Sequence, residues 1–311
     1  MHLRNSLLIL TTFLSLTVRA EFRALPVKPI EPADNPSTPA KRDLGKMLFF
    51  DQRLSTEGTV SCNSCHNVLS RGDGVTPAER ARDPHTLWNV AFQTSHFWDG
   101  KTTTLETSAH NVVVDRVSKI PGYVSAFKKA FPKDSGISIE NISRAIAVYE
   151  RTLITPNSPF DKFMKGNKKV LSAQQIRGMK LTDELGCTAC HSGVNFSGEE
   201  NMGVGSFKSF PQVTGSKYEK MYNITQDLGR FEVTKNPEDK NIWRVPTWRN
   251  VAVTGPYFHN GSVKSLEEAV RVMGKTQLDS DLTEPQVQDI VAFLGALTGQ
   301  FPKQTAPKLP Q

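Results

Sequence analysis

Cysteine is scarce in this chain, and long apolar segments are scarcer still. Only 4 of the 311 residues are cysteines, and 38% are hydrophobic. Beyond the first twenty residues, no stretch is apolar enough over a sufficient length to predict a membrane-spanning helix. The formal net charge is +7, but no run of lysine and arginine is dense enough to predict a nucleic-acid-binding surface. The positive charge indicates either attraction of an acidic partner or simple solubility.

Strict alternation of apolar and polar residues is also rare, so little β structure is expected. Residues 138–152 instead carry Ile142, Ile146 and Tyr149 at helical spacing. Helix starts with a glutamate or glutamine three residues further on are predicted at Ser172, Ser265 and Thr283. A mainly α-helical fold with long irregular loops follows.

The first twenty residues resemble a cleaved secretory signal. Arg4 precedes an apolar run that begins at Leu7, and the segment ends in the small-residue pattern Val18-Arg19-Ala20. We therefore expect export and a periplasmic location, without stable membrane insertion after cleavage; an uncleaved anchor is the alternative. The proline-rich residues 21–40 predict an extended arm.

All four cysteines lie in two CxxCH motifs. The first is Cys62, Cys65 and His66, and the second is Cys187, Cys190 and His191. In c-type haem attachment the two thiols bond to the haem vinyl groups and the histidine becomes an axial iron ligand.

A four-cysteine zinc site or two short disulfides would also use the four thiols, but neither needs a histidine after each pair. With 7 histidines in the chain, that coincidence has a chance of roughly one in two thousand. Two covalent haem c groups are therefore predicted, one in each of two cytochrome c-like domains, at residues 41–165 and 166–311.

Further motifs, in their order along the chain, resemble the bacterial dihaem cytochrome c peroxidase family, which includes the MauG-like enzymes. The resemblance covers about Leu44 to Pro310, and the ordered set is more specific than any one motif. It consists of Leu44–Asp51, Arg53–Ser55, Phe97–Gly100, Tyr123–Pro132, Val245–Thr247, Arg249–Asn250, Thr254–Ser262, Leu266–Val270, Met273–Gly274, Gln277–Leu278 and Leu297–Pro302.

The resemblance implies an enzyme that reduces hydrogen peroxide to water with electrons from a small redox protein, a cytochrome c or a cupredoxin. His66 would then hold the peroxidatic iron of the N-terminal domain, and His191 the iron of the C-terminal, electron-transfer domain. Met273 matches the methionine that caps the second iron, where a thioether raises the reduction potential. MauG has a tyrosine at this step, so Met273 favours the peroxidase branch.

Other family positions imply further roles. Trp98 matches a tryptophan placed between the two haems. Asp83 stands where the family usually has an asparagine that binds calcium, and Thr254 and Pro256 match the partners that bind through backbone carbonyls. Arg244 and Arg249 are predicted either to pair with haem propionates or to be surface charges, and His259 to be a satisfied structural histidine. The family includes dimers, so a homodimer is a further expectation.

The chain departs from the family at the peroxidatic site. The loop 67–82 holds no histidine to cap the iron, so a five-coordinate resting iron is predicted; His85 and His96 are the nearby substitutes. Ser108 replaces the distal glutamine, and the loop that carries the distal glutamate is missing. His110 and Asp115 are the candidate acid–base residues in its place. A MauG-like oxidase of a partner protein and a non-catalytic electron carrier remain the alternative functions.

Overall fold

The computed structural model describes residues 22–70, 82–107, 113–134, 136–198 and 206–311. Within these ranges the fold is mostly helical, as predicted. The α-helices are α1 (Pro39–Phe50), α2 (Cys62–Cys65), α3 (Val114–Ser118), α4 (Pro121–Ala130), α5 (Ile139–Glu150), α6 (Pro159–Met164), α7 (Ala173–Glu184), α8 (Lys217–Tyr222), α9 (Phe231–Thr234), α10 (Leu266–Leu278) and α11 (Glu284–Gly295).

Two short strands form the sheet of the described residues. Strand β1 (Phe207–Ser209) pairs antiparallel with β2 (Ile242–Arg244), and Lys208 faces Trp243 in the register. None of the described helices is both long and apolar enough to cross a membrane.

The three predicted helix starts are observed. Ser172 and Thr283 each exchange side-chain and backbone hydrogen bonds with the glutamine three residues further on. Ser265 accepts from the backbone of Glu268 without the reciprocal bond, and its helix continues five residues past Met273. Capping satisfies backbone N–H groups that have no partner inside the helix.

The first core lies between α1, α4 and α5. Its fully buried side chains include Phe49, Tyr123 and Ile142. Helices α1 and α5 approach closely at Gly45, where a Cβ atom would lie only 1.9 Å from the carbonyl oxygen of Ala145. Any larger residue at Gly45 would therefore force the two helices apart.

The second core joins α6, α7, α10 and α11. Phe160, Phe196 and Phe293 form mutual edge contacts there, with ring centroids 5.4–6.4 Å apart. Phe160 precedes the predicted domain boundary at 165 but packs in this second core. A third cluster contains Phe210, Trp243 and Val272, and the half-buried Trp98 packs against it.

Each end of the described chain packs on the opposite half of the molecule. Phe22 contacts the rings of Phe160 and Phe293 in the second core. At the other end, Phe301 packs edge-on against Trp88 of the first half, and the Gln311 carbonyl accepts a hydrogen bond from Gly122. The two halves are thus tied together by both chain ends.

Candidate haem-binding centres

The two CxxCH segments adopt similar tight turns. Cys62–Cys65 is the short helix α2, and Cys187–Ala189 is a single 3-10 turn. In each segment the backbone N–H of the histidine donates to the carbonyl of the first cysteine, at 2.9 Å for His66 and 3.0 Å for His191. The turn keeps the two thiols and the histidine of each motif next to one another.

Both motif histidines are oriented by a backbone carbonyl. Nδ1 of His66 lies 2.7 Å from the carbonyl oxygen of His85, and Nδ1 of His191 lies 3.1 Å from that of Phe196. A carbonyl oxygen can only accept, so each Nδ1 carries the proton. In a neutral imidazole the lone pair then lies on Nε2, which is the arrangement required of an iron ligand.

The His191 imidazole is buried and neutral. Burial lowers its pKa to about 4, against smaller opposing effects of the backbone carbonyls of Phe196 and Pro246. Its ring also stacks on Trp248, with centroids 4.3 Å apart. A neutral, fixed imidazole is available for metal binding without first losing a proton.

A large cavity lies beside the second motif. Cys187, Cys190 and His191 line one part of it, and Met273 of α10 lines another. The cavity has a volume of about 1600 Å³, its opening to solvent included, and its lining is mostly apolar. The structure therefore brings together the residues predicted from sequence for the C-terminal haem.

Two buried polar atoms on this cavity have no partner within the described protein. Nε1 of Trp243 and Nε2 of His259 are both inaccessible to solvent and make no hydrogen bond, and their rings stack with centroids 4.0 Å apart. Burying such groups without partners is costly. A haem propionate oxygen would satisfy the Trp243 donor, so the residues present fit haem c.

His259 and Arg249 correct two expectations. His259 is not the fully satisfied histidine predicted, because its Nε2 lacks a partner. Arg249 is neither at the surface nor on the cavity: it is 1% exposed and pairs with Asp161 at 2.7 Å. Arg244 does line the cavity and is buried, and burial lowers its pKa to about 10.

Trp98 lies on the wall between the two motifs. Its Nε1 donates to the backbone carbonyl of Asp83 at 2.8 Å, and its ring lies 4.1 Å from that of His85. It lines the cavity of His191, while His85 contacts His66 through its carbonyl. His85 therefore connects Trp98 with the histidine of the first motif.

The three predicted calcium residues also lie on this cavity. Asp83 is 4% exposed and Thr254 is 9% exposed. Gly261, at a φ of +61°, lies against two of the three: a Cβ there would lie 3.0 Å from Asp83 Oδ1 and 3.1 Å from Pro256 Cγ. No group of three or more histidine, cysteine or acidic side chains gathers among the described residues, so a calcium site here would depend on backbone oxygens.

Sequence reasoning did not single out Glu150, which is buried at the end of α5. It is 8% exposed, and its carboxyl group makes no hydrogen bond to a described residue. Burial raises its pKa to about 8, and the same carboxyl contributes to raising the pKa of Cys62. Nine of the twelve residues of α5 are buried. The helical spacing of its apolar residues alone predicts burial of only one face.

Of the two predicted acid–base residues, only Asp115 lies within the described part of the chain. His110 and Ser108 lie outside the described residues. Asp115 lies in the first turn of α3 and is exposed. The adjacent Arg116 donates to the carbonyls of Ser55 and Thr56 and so fixes α3 beside the segment before α2. A role for Asp115 stays a prediction.

Comparison with known proteins gives consistent results. A family model described as di-haem cytochrome c peroxidase matches residues 39–169. Cytochrome c551 peroxidase of Pseudomonas aeruginosa is 39% identical, over 94% of this chain and 88% of that protein. The methylamine utilization protein MauG of Methylorubrum extorquens is 32% identical, also over 94% and 88%.

A solved structure is similar over nearly its whole length. The crystal structure of a MauG-like protein associated with microbial copper homeostasis superposes with a TM-score of 0.73 and 26% identity. The match covers 88% of this chain and 95% of that one.

Proposed function

This chain belongs to the dihaem cytochrome c peroxidase family, and we propose that it reduces hydrogen peroxide to water with electrons from a small redox protein. The observation that supports this best is the cavity that holds His191 and Met273 together. A histidine and a thioether make a high-potential iron site, which suits an electron-accepting centre. A methionine here also favours a peroxidase over a MauG-like oxidase.

The protein would hold two haem c groups, which supply the iron redox chemistry that side chains lack. Cys62 and Cys65 would form the thioether bonds of the first group, and Cys187 and Cys190 those of the second. The carbonyl of His85 holds His66 with its proton on Nδ1, and that of Phe196 does the same for His191. Each backbone bond thereby fixes the tautomer in which Nε2 can bind iron.

The finer assignments belong to the same proposal. The electron donor is a cytochrome c or a cupredoxin, and calcium binds at Asp83, Thr254 and Pro256. Residues 1–20 direct export to the periplasm. His110 or Asp115 moves the proton between the two peroxide oxygens, which is the task of the family's missing glutamate.

Peroxide-dependent oxidation of a reduced monohaem cytochrome c by the haem-loaded protein tests the proposal. We expect turnover in the wild type and a loss of about 100-fold in the variant that lacks the acid–base group, His110→Ala or Asp115→Ala. Lys119→Ala, an exposed change on the same segment, is the control. A wild type that binds peroxide but oxidises no donor would overturn the peroxidase assignment in favour of a protein-modifying oxidase.

A further inference from the structure

His85 contacts both the first motif histidine, His66, and Trp98. Its backbone carbonyl accepts from His66 Nδ1 at 2.7 Å, and its ring lies over Trp98 with centroids 4.1 Å apart and planes inclined by 31°. We propose that His85 is a positioning residue that connects the two haem centres. This inference rests on the proposed dihaem function.

Arg244 holds the His85 ring from the cavity side. Its Nη2 lies 3.1 Å from Nε2 and 3.3 Å from Nδ1 of His85. Since a guanidinium group only donates, it binds the ring nitrogen that carries the lone pair. Arg244 also donates from Nε to the carbonyl of Phe97 and from its backbone N–H to that of Trp98. One arginine therefore holds the His85 ring and the backbone of the segment that carries Trp98.

The Trp98 ring is also held by a hydrogen bond to the segment that carries His85. Its indole Nε1 donates to the carbonyl of Asp83, two residues before His85. The backbone N–H of Asp83 donates in turn to the carbonyl of His259 at 2.7 Å. The stacked pair thus sits in a closed frame of hydrogen bonds contributed by three separate segments of the chain.

This frame defines a continuous path of contacts. It runs from Trp98, which lines the cavity of the second motif, through the His85 ring and its own backbone to the Nδ1 hydrogen bond of His66. In the proposed step one electron crosses from the C-terminal to the N-terminal centre. No bond forms or breaks, no proton is transferred, and His85 and Trp98 are unchanged afterwards. The role of His85 is to hold Trp98 and His66 at a fixed separation.

The test measures electron transfer between the haems directly. Fully haem-loaded protein is reduced by one electron with pulse radiolysis, and absorbance follows the electron as it redistributes between the two centres. In His85→Ala the ring contact is lost, and we expect transfer to slow by about tenfold, the change that about 1.4 kcal/mol of barrier produces. His85→Phe keeps a ring against Trp98 and should transfer within about twofold of the wild type.

Phe301→Ala is the matched control, because it removes a ring that packs on a different tryptophan, Trp88, at 4.9 Å. Unfolding by denaturant and haem content establish that each variant is folded. Unchanged transfer in His85→Ala, equal slowing in His85→Phe, or equal slowing in Phe301→Ala would each overturn the proposal. Because no peroxide is used, a failure of peroxide turnover in the wild type would count against the proposed function alone.

Discussion

Removing the buried cation of the Arg249–Asp161 pair should destabilise the protein severely. The two side chains are 1% and 0% exposed, and Arg249 Nη1 lies 2.7 Å from Asp161 Oδ1. The guanidinium group lies over the rings of Phe160 and Phe196, at 5.3 and 5.2 Å from their centroids. In this apolar surrounding the carboxylate has no water to replace a missing partner.

Asp161 also accepts hydrogen bonds from two backbone segments. Its Oδ1 accepts from the backbone of Leu25 in the N-terminal arm, and its Oδ2 accepts from the backbone of Ser158 at the start of α6. Arg249 meanwhile donates to the carbonyls of Val194 and Arg23. The pair therefore fastens the arm, α6 and the loop after the second CxxCH motif to one another.

Arg249→Met keeps an unbranched aliphatic stem and removes the charged guanidinium group. Breaking a buried pair from one side costs about 3–5 kcal/mol, a large part of the 5–15 kcal/mol typical of a whole domain. We expect the free energy of unfolding to fall by this amount, with a fall in Tm on the order of 10 °C. Urea denaturation of the haem-loaded protein, followed by circular dichroism, provides the measurement.

Arg177→Met is the comparison, since Arg177 forms a similar 2.8 Å pair with Asp289 but is 60% exposed. Exposed pairs contribute little to stability, so this variant should unfold close to the wild type. If Arg249→Met cost no more than Arg177→Met, the inference that Arg249 is a structural cation would be wrong.

Three further predictions concern the cavity and the first core. Met273→Ala should lower the reduction potential of the C-terminal haem, because the thioether favours ferrous iron. Met221→Ala, at an exposed site, is the control. A redox titration that gave Met273→Ala the same potential as the wild type and this control would refute the ligand assignment. Calcium at 100 times its dissociation constant should raise the free energy of unfolding by about 2.7 kcal/mol in the wild type and Asp83→Asn but not in Asp83→Ala; equal responses in all three would remove Asp83 from the site. Glu150 has a pKa of about 8 in the folded protein, above the ordinary 4.5. Its contribution to the free energy of unfolding is therefore fully present below pH 4.5 and is lost as the pH rises through 8. Glu150→Gln should therefore gain stability over the wild type from pH 6 to pH 9, by a few kcal/mol, and parallel pH profiles would contradict the burial of that carboxyl.

The features that could be predicted from sequence are local. The CxxCH segments need only one turn of backbone to place two thiols and a histidine together, and the caps at Ser172 and Thr283 act over three residues. Met273 was predicted on the haem cavity only through the family resemblance, because nothing in its own helix separates it from a core methionine.

The features that sequence reasoning missed are contacts between distant segments. His85 and Arg244 are 159 residues apart, and Asp161 and Arg249 are 88 apart. No spacing rule relates such pairs, since their contact depends on how the helices between them pack. The burial of Glu150 has the same origin, because α5 is enclosed from several sides.

Hydrogen-bond satisfaction distinguishes Arg249 from Trp243 and His259. Arg249 could have been a propionate ligand, but a carboxylate and two backbone carbonyls already bind it. Trp243 and His259 are equally buried, yet each keeps a polar atom without a partner on the cavity that His191 and Met273 share. Buried polar atoms without a partner are uncommon in folded proteins, and among the described residues these two are the ones that line this cavity. A propionate of a haem bound in this cavity would satisfy the Trp243 donor, and no sequence motif points to that contact.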